Sequence, residues 1–431
     1  MDICVIGAGH VGLVTAACFA ELGNQVICID SNKARIADIK QSIMPFYEPG
    51  MKEMVVKNVQ KKRLSFTASL KDAVRKSLVI FIAVGTPPKE NGEADLTSIE
   101  RVAQDIARYM PSYRLVVEKS TVPVETGKWV EHTIKVNVSG KKKFDVASNP
   151  EFLSEGSAID DFMRPDRVVL GVESKRAEDL LVELYKPLNC PIVVTDIKSA
   201  EIIKHASNSF LACKISFINA IANICDRVGA DVEKVAKGVG ADRRIAYKFL
   251  HAGCGYGGFC FPKDVDAFIR IAEKKGYDFH LLKAVREINE EQKELIVKKI
   301  ESVLWNLKGK TIGILGLSFK PGTDDMRFAP SIDIIDRLQT SGTKIRAFDP
   351  QAMPEAKKIF GKGIKFCKDV YEVAKGSDCL AVITEWNEFK ELDFKRLKKL
   401  LKQPIIIDGR NIYDPNKIKK LGFTYVGIGR S

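Results

Sequence analysis

No run of about 18 or more consecutive apolar residues occurs in this 431-residue chain, so composition offers no plain membrane-spanning segment. The N-terminus enters directly into Asp2 and a short apolar stretch, without a basic-then-apolar leader pattern, and a cytosolic chain is expected. Paired cysteines are missing as well. The ten cysteines include no CxxC, and most sit within apolar runs as buried thiols do, so neither a zinc site nor a disulfide framework is indicated and no metal is expected. Histidine is scarce, and of the five only His10 and His251 fall within motifs, while His205 suits a satisfied helix residue. Basic tracts interleaved with aromatics are also absent. Lys and Arg exceed Asp and Glu by 68 to 55, a net +13, but the excess is spread out. The densest stretches, residues 141–143 and 395–402, read as solvated faces rather than a nucleic-acid surface. Anionic small molecules are the alternative partners for that charge.

What is present is 45% hydrophobic, enough for several cores, and the length corresponds to roughly three domains. Short apolar stretches alternate with amphipathic ones from the start: residues 3–6 as a strand, 10–22 as a helix and 26–29 as a strand form a βαβ unit. Further strands are expected at 78–84, 115–118, 146–148, 168–172 and 192–195, completing one doubly wound domain over residues 1–196. From Asp196, a suitable N-cap, to Val228 the pattern stays helical, about 45–50 Å in length, with apolar residues around most of its circumference. Much of it should therefore be buried. Helical segments continue to about residue 307 and make a middle domain, 197–307. A second α/β series follows, with strands at 311–315, 344–348, 379–384 and 405–407, and Gly313 and Gly316 form a degenerate glycine turn after the first of them. The expected class is thus α/β, with two Rossmann-like doubly wound domains joined by a long central helix and a helical middle domain, the last domain covering 308–431.

Gly7, Ala8, Gly9, His10, Val11 and Gly12 lie between a strand and a helix. The first glycine allows the tight turn, the second lets backbone N–H groups approach a pyrophosphate, and the third lets helix pack on strand. Asp30, 18 residues after Gly12 and at the end of the second strand, is placed to accept from a ribose 2′-hydroxyl and to repel a 2′-phosphate, favouring NAD over NADP. Arg35 belongs either near that ribose or on a solvated helix face.

Gly85-Thr86-Pro87, Ser120-Thr121-Val122-Pro123 and Asn149-Pro150-Glu151 each directly follow an expected strand. Open parallel sheets bind ligands at their carboxyl ends. Each motif alone is also ordinary turn chemistry. Cys260 follows a glycine-rich run and precedes Pro262, with Val265, Phe268, Ile269 and Ala272 at helical spacing, so it falls at a helix N-terminus where backbone N–H groups favour a thiolate. From this local pattern it is either a reactive thiol or one more buried cysteine. Cys254 competes for the role but lies within the loop. Lys204 and Asn208, four apart, share one face of the long helix, either as polar groups needing buried partners or as a surface lysine beside a locally bonded Asn.

GAGHVG at 7–12, VGTP at 84–87, STVPV at 120–124, NPEFLSEG at 149–156, RPDRVVLG at 164–171, FLHAGCGYGGFCFPKD at 249–264, LSFKPGTDDMR at 317–327 and DGRN at 408–411 occur in that order. The set resembles the UDP-glucose 6-dehydrogenases within the wider UDP-glucose/GDP-mannose dehydrogenase family, over essentially the whole chain. The resemblance implies an NAD-dependent four-electron oxidation of UDP-glucose to UDP-glucuronate, with Cys260 forming a thiohemiacetal and then a thioester. A related UDP-N-acetylhexosamine or GDP-mannose dehydrogenase is the nearest alternative.

The resemblance also implies the roles of the other residues. Lys204 and Asn208 stabilise oxyanion character at the sugar C6 oxygen, Asp264 assists proton removal through a water held by Thr121, and Glu151 serves thioester hydrolysis. Glu155, with Gly85, Thr86, Ser120, Lys263 and Arg327, belongs to the NAD side. Phe152, Leu153, Ser154, Phe249, Leu250, His251, Ala252, Gly253, Tyr256, Gly257 and Phe261 fall on the substrate. Phe319, Lys320 and Arg410 fall near its UDP, and Arg244 resembles an arginine reaching the sugar from a neighbouring subunit of a homodimer. Neither nucleic acid nor membrane is an expected partner. Three departures stand out: His10 where tyrosine is frequent, Glu125 where glycine is frequent, and Phe259 where serine is common. None removes a group from the implied reaction.

Overall fold

The computed structural model describes residues 1–89 and 92–430, and the chain divides into two compact units. The first holds Met1–Ser207 with Asp266–Gly276, and the second Asn208–Val265 with Tyr277–Ser431.

The first unit is built on eight strands: β1 (Asp2–Ile6), β2 (Gln25–Ile29), β3 (Leu64–Thr67), β4 (Val79–Ile82), β5 (Arg114–Glu118), β6 (Phe144–Ser148), β7 (Val168–Val172) and β8 (Ile192–Thr195). Their order is β3-β2-β1-β4-β5-β6-β7-β8, and all neighbours pair in parallel except β6 with β7, which run antiparallel. The first six follow the dinucleotide-fold order, which places the ends of β1, β4 and β5 side by side. Helices cover both faces, so the central strands read as continuous apolar runs. Phe19, Phe81, Phe162 and Tyr185 fill one side, and Ile80, Ile82, Ile106 and Val116 fill the other. The reading from sequence passed over β3, a four-residue strand with only two fully inward residues.

The second unit carries β9 (Thr311–Leu315), β10 (Lys344–Phe348), β11 (Lys365–Phe366), β12 (Cys379–Val382), β13 (Ile405–Asp408) and β14 (Thr424–Val426), all parallel, in the order β11-β10-β9-β12-β13-β14. This repeats the strand order of the first unit's β1–β6. Ile296, Ile300 and Leu304 of the helix His280–Leu304 pack with Ile312, Ile314, Ile345 and Ile407 of this sheet's strands in one core. The edge strands β11 and β14, two and three residues long, carry too little pattern to be read in advance.

The long helix spans Ile197–Val228, and Asp196 caps it as expected, its Oδ1 accepting from Ser199 N at 2.9 Å. Much of the helix is buried as expected, but one apolar stripe is not. Phe210, Phe217, Ile224 and Val228 remain 66%, 49%, 53% and 70% exposed, and Ile202 is exposed too. Buried and exposed apolar residues both recur at helical spacing, which periodicity alone cannot tell apart. Among the described residues it is the one helix long and apolar enough by composition to cross a membrane. Its inner face nevertheless carries buried polar groups with protein partners: Glu201 accepts from Glu125 N and Gly127 N at 2.7 and 2.8 Å, and His205 Nε2 lies 2.8 Å from Val122 O.

Candidate active site

The turn after β1 is shaped by what cannot fit there. Gly7 has φ +107°, and a Cβ on it would lie 2.3 Å from Ala83 O, while a Cβ on Gly12 would lie 1.8 Å from Gly7 O. Gly9 would meet nothing within 4 Å, so open space faces the start of the helix His10–Glu21, with its first-turn N–H groups. Two glycines are therefore demanded by packing, and the third keeps an approach clear for a phosphate. Asp30, at the tip of β2, is held by Ala8 N at 2.9 Å and Asn32 N at 2.8 Å, and Arg35 Nη1 reaches its Oδ2 at 2.9 Å. The Arg35 side chain is thus paired with the acid while remaining partly exposed. These residues fit the adenosine ribose and pyrophosphate of a dinucleotide.

His10 turns toward a residue the sequence did not single out. Its Nε2 lies 2.9 Å from Glu48 Oε2, and the buried Glu48 carboxylate also accepts from Gly156 N at 2.7 Å and Ala158 N at 2.8 Å. The Glu48 carboxylate thus ties the glycine turn to the 149–156 loop. In sequence it is an acid between Tyr47 and Pro49 in a turn-like stretch, with no signal to separate it from a solvated one.

The loops after β4 and β5 are bonded together. Thr86 Oγ1 donates to Thr121 O at 3.0 Å, and Ser120 Oγ donates to Val84 O at 2.8 Å. Beside them Glu151 Oε1 pairs with Lys204 Nζ at 3.0 Å, both side chains only 4% exposed, and Glu151 Oε2 accepts from Leu153 N at 2.6 Å. Phe152 lies under two cations, with Arg167 Cζ 3.7 Å and Lys204 Nζ 5.4 Å from its ring centroid. Ser154 N donates to Asp161 Oδ2, and Glu155 is half-buried on the same loop. Burial pushes the carboxyl of Glu118, last residue of β5, up to about 8, against hydrogen bonds from Ser120 that lower it.

In the second unit Cys260 is the first residue of the helix Cys260–Lys274 and is half-buried. One turn on, Asp264 is buried, accepting from Asn208 Nδ2 at 2.6 Å and pairing with Lys263 Nζ at 2.6 Å. Both Lys263 and Arg327 lie over the Phe259 ring, at 5.3 and 4.2 Å, and Arg327 forks onto its neighbour Asp325. The aromatic departure before the cysteine therefore seats the two cations expected on the NAD side. Cys254, in contrast, is fully buried, its N–H on Gly409 O at 2.9 Å and its thiol pushed up by burial, as an inert thiol would be.

The glycine run before Cys260 is held by groups that sequence reasoning missed. Asn219 Oδ1 accepts from Gly253 N at 2.9 Å, Gln292 Nε2 donates to Gly253 O at 3.1 Å, and Asn289 bonds both N and O of Tyr256. A Cβ on Gly257 would lie 2.2 Å from Phe328 O, and one on Gly258, at φ +79°, would lie 2.7 Å from the Phe319 ring. Arg410 donates to Ile383 O at 2.7 Å and Gly255 O at 3.0 Å, so its guanidinium braces this loop. Leu250 and Ala252 point into the core, which leaves only their backbone to any ligand, while Phe249 and Tyr256 pack at 6.3 and 5.8 Å on Phe261. His251 is exposed against Tyr247, Lys320 Nζ lies 5.6 Å from the Phe319 ring, and Arg244 is on the surface, bound to its own Asp242 at 2.7 Å.

The second sheet also ends its second strand in an acid, but Asp349 is filled from within. Its Oδ2 accepts from Leu317 N, Ser318 N and Trp386 Nε1, at 2.7, 3.0 and 3.1 Å, and its Oδ1 from Gln351 N and Ala352 N. The acid that would hold a ribose there serves the fold instead.

A dinucleotide turn backed by an acid at the end of the second strand, on a sheet in the 3-2-1-4-5-6 order, defines the first unit as that of an NAD-dependent dehydrogenase. Three family models match the chain. They are the NAD binding, central and UDP binding domains of the UDP-glucose/GDP-mannose dehydrogenase family, over residues 1–189, 198–291 and 313–415. The chain belongs to that family. It is 50% identical to the UDP-glucose 6-dehydrogenase TuaD of Bacillus subtilis, covering 99% of this chain and 93% of that one. It is 45% identical to the UDP-glucose 6-dehydrogenase of Rhizobium meliloti over the full length of both. Among solved structures, a UDP-glucose dehydrogenase from Pyrobaculum islandicum superposes with a TM-score of 0.93 at 37% identity, covering 100% of this chain and 98% of that one.

Proposed function

We infer that the chain oxidises UDP-glucose to UDP-glucuronate with NAD as acceptor and Cys260 as nucleophile. The observation that carries this reading is Cys260 at the opening of a helix whose next turn presents a buried Asp264 bonded to Asn208. NAD, when bound on the Gly7–Gly12 turn, accepts one hydride in each of two oxidations of the sugar C6. In the first, the C6 hydroxyl proton passes toward Asp264 by way of a water on Thr121, while Lys204 and Asn208 stabilise the developing oxyanion. Cys260 Sγ then bonds to the C6 aldehyde as its proton passes to the C6 oxygen, giving a thiohemiacetal that loses its C6 hydrogen as hydride and its hydroxyl proton in the second oxidation, so that a thioester remains on Cys260. Glu151 guides a water to C6, the C–S bond breaks, Sγ regains its proton, and the carboxylate departs. Four electrons leave the sugar and one water oxygen enters it.

The residues of the 149–156 and 249–261 loops, with Phe319, Lys320 and Arg410, make the sugar-nucleotide side of this reading, and the excess positive charge serves the two phosphates. The outer face of the long helix, with Phe210, Phe217 and Ile224 spaced seven apart, supports a homodimer in which Arg244 of one subunit serves the other's substrate. A catalytic thiol is kept reduced in the cytosol, where the protein is placed by this account. The test is product analysis with UDP-glucose, UDP-N-acetylhexosamines and GDP-mannose. UDP-glucose should give the acid with wild type and none with Cys260→Ala, whereas undiminished acid from that variant, or turnover confined to another sugar nucleotide, would overturn the reading.

A further inference from the structure

One carboxylate holds both the dinucleotide turn and the loop that carries Glu151. The Glu48 side chain is only 1% exposed, and three donors converge on it. Its Oε2 accepts from Gly156 N at 2.7 Å and from His10 Nε2 at 2.9 Å, and its Oε1 accepts from Ala158 N at 2.8 Å. His10 opens the helix whose first-turn N–H groups face the clear approach at Gly9, and the Phe46 ring packs 4.7 Å from the imidazole. In the other direction, hydrogen bonds lead from Ala158 back to Glu151. Ser157 N donates to Ser154 O at 3.0 Å, Ser154 N to Asp161 Oδ2 at 2.8 Å, and Leu153 N to Glu151 Oε2 at 2.6 Å. Glu48 is itself fixed, because its carbonyl accepts from Met51 N at 3.2 Å where the helix Met51–Gln60 begins, and Met51 lies in the core.

Resting on the reading of the chain as a UDP-glucose oxidoreductase, we propose that Glu48 is a positioning residue for both stages of the chemistry. Through His10 it sets the helix start that receives the dinucleotide, and through Gly156 and Ala158 it sets the loop from which Glu151 directs water to the thioester. In a dry site each of these bonds is strong, and a lost acceptor leaves a buried N–H unsatisfied. Glutamine at position 48 keeps the shape but supplies one acceptor oxygen instead of two, so a backbone N–H of the 149–158 segment or the His10 ring then faces the amide NH2. The disturbance reaches the phosphate side by way of His10 and the hydrolytic side by way of residues 153–158.

The measurement pairs NADH affinity with the state of Cys260, on the full-length wild type, Glu48→Gln and His10→Phe. Fluorescence titration should give a Kd for NADH weaker by roughly three- to tenfold in both variants, part of the worth of a charge-assisted hydrogen bond. Intact mass after acid quench, during turnover of UDP-glucose with NAD in excess, should show the sugar-nucleotide thioester on Cys260 in Glu48→Gln and bare Cys260 in wild type and His10→Phe. His10→Phe keeps a ring against Phe46 and leaves Gly156 and Ala158 bonded to Glu48, so a folding defect in Glu48→Gln does not remove the cofactor half of the test. A merely structural Glu48 would lower the number of competent sites and leave both the Kd and the Cys260 mass as in wild type. That outcome, a Kd within about twofold of wild type in either variant, or bare Cys260 in Glu48→Gln overturns the proposal for Glu48 alone, given NADH formation from UDP-glucose by wild type. Absence of NADH from the wild type overturns both it and the reading beneath it.

Discussion

Breaking the Glu151–Lys204 pair is the perturbation whose size the structure sets most directly. The two groups meet at 3.0 Å with 4% of either side chain exposed, so removing one leaves the other charged and dry. That situation costs about 3–5 kcal/mol, whereas replacing both members with neutral groups of similar shape is often close to neutral. For Glu151→Gln the hydrogen bond from Leu153 N survives on the amide oxygen, which confines the loss to the charge. A domain of this size loses about 2–4 °C of Tm per kcal/mol, so Glu151→Gln or Lys204→Met should lower the transition of the first unit by roughly 6–20 °C. The double variant should recover most of that. Calorimetry on the four proteins reads the cycle directly. Single variants that melt within about 2 °C of wild type, or a double variant whose loss equals the sum of the singles, would refute the picture of a desolvated pair.

Three further outcomes follow from individual contacts. Glu118 is held up to about 8, so the folded state binds more protons than the unfolded between the ordinary carboxyl range and that value, and stability falls as pH rises through this window. Glu118→Gln, which can still accept from Ser120 N, should therefore gain on wild type from pH 5 to 8, as measured by denaturant midpoints. Gly12→Ala sets a methyl group 1.8 Å from Gly7 O and should abolish NADH binding in a fluorescence titration while the second unit's melting transition is unchanged. On the homodimer reading, Phe210→Lys with Phe217→Lys should give a monomer in light scattering where wild type gives a dimer; an unchanged mass would remove the long helix from the interface.

The parts of this protein legible in its sequence are those whose meaning is local. A strand running into Gly7-Ala-Gly9-His-Val-Gly12 and a second strand ending in Asp30 prescribe a dinucleotide turn, because tight approach and capping act over a few residues. The motifs after β4, β5 and β6 were legible for a related reason, since a parallel sheet gathers strand ends. What stayed hidden depends on partners far along the chain. Glu48 bonds residues 108 and 110 positions away, Lys119 finds Tyr185, and Gln292 and Asn289 brace a loop more than thirty residues before them. Arg410, expected near a ligand, also braces backbone carbonyls, a use that charge and motif alone do not announce. The exposed stripe of the long helix shows the limit of periodicity, which reports that a helix has apolar faces but not whether this chain covers them.

The central claim is a two-stage oxidation on one thiol, and the NADH yield at completion tests it most directly. With UDP-glucose limiting and NAD in excess, the account predicts about two NADH per sugar nucleotide from the wild type, and no acid product from Cys260→Ala. One NADH per sugar with the aldehyde as the final product, or two with Cys260 removed, would contradict it.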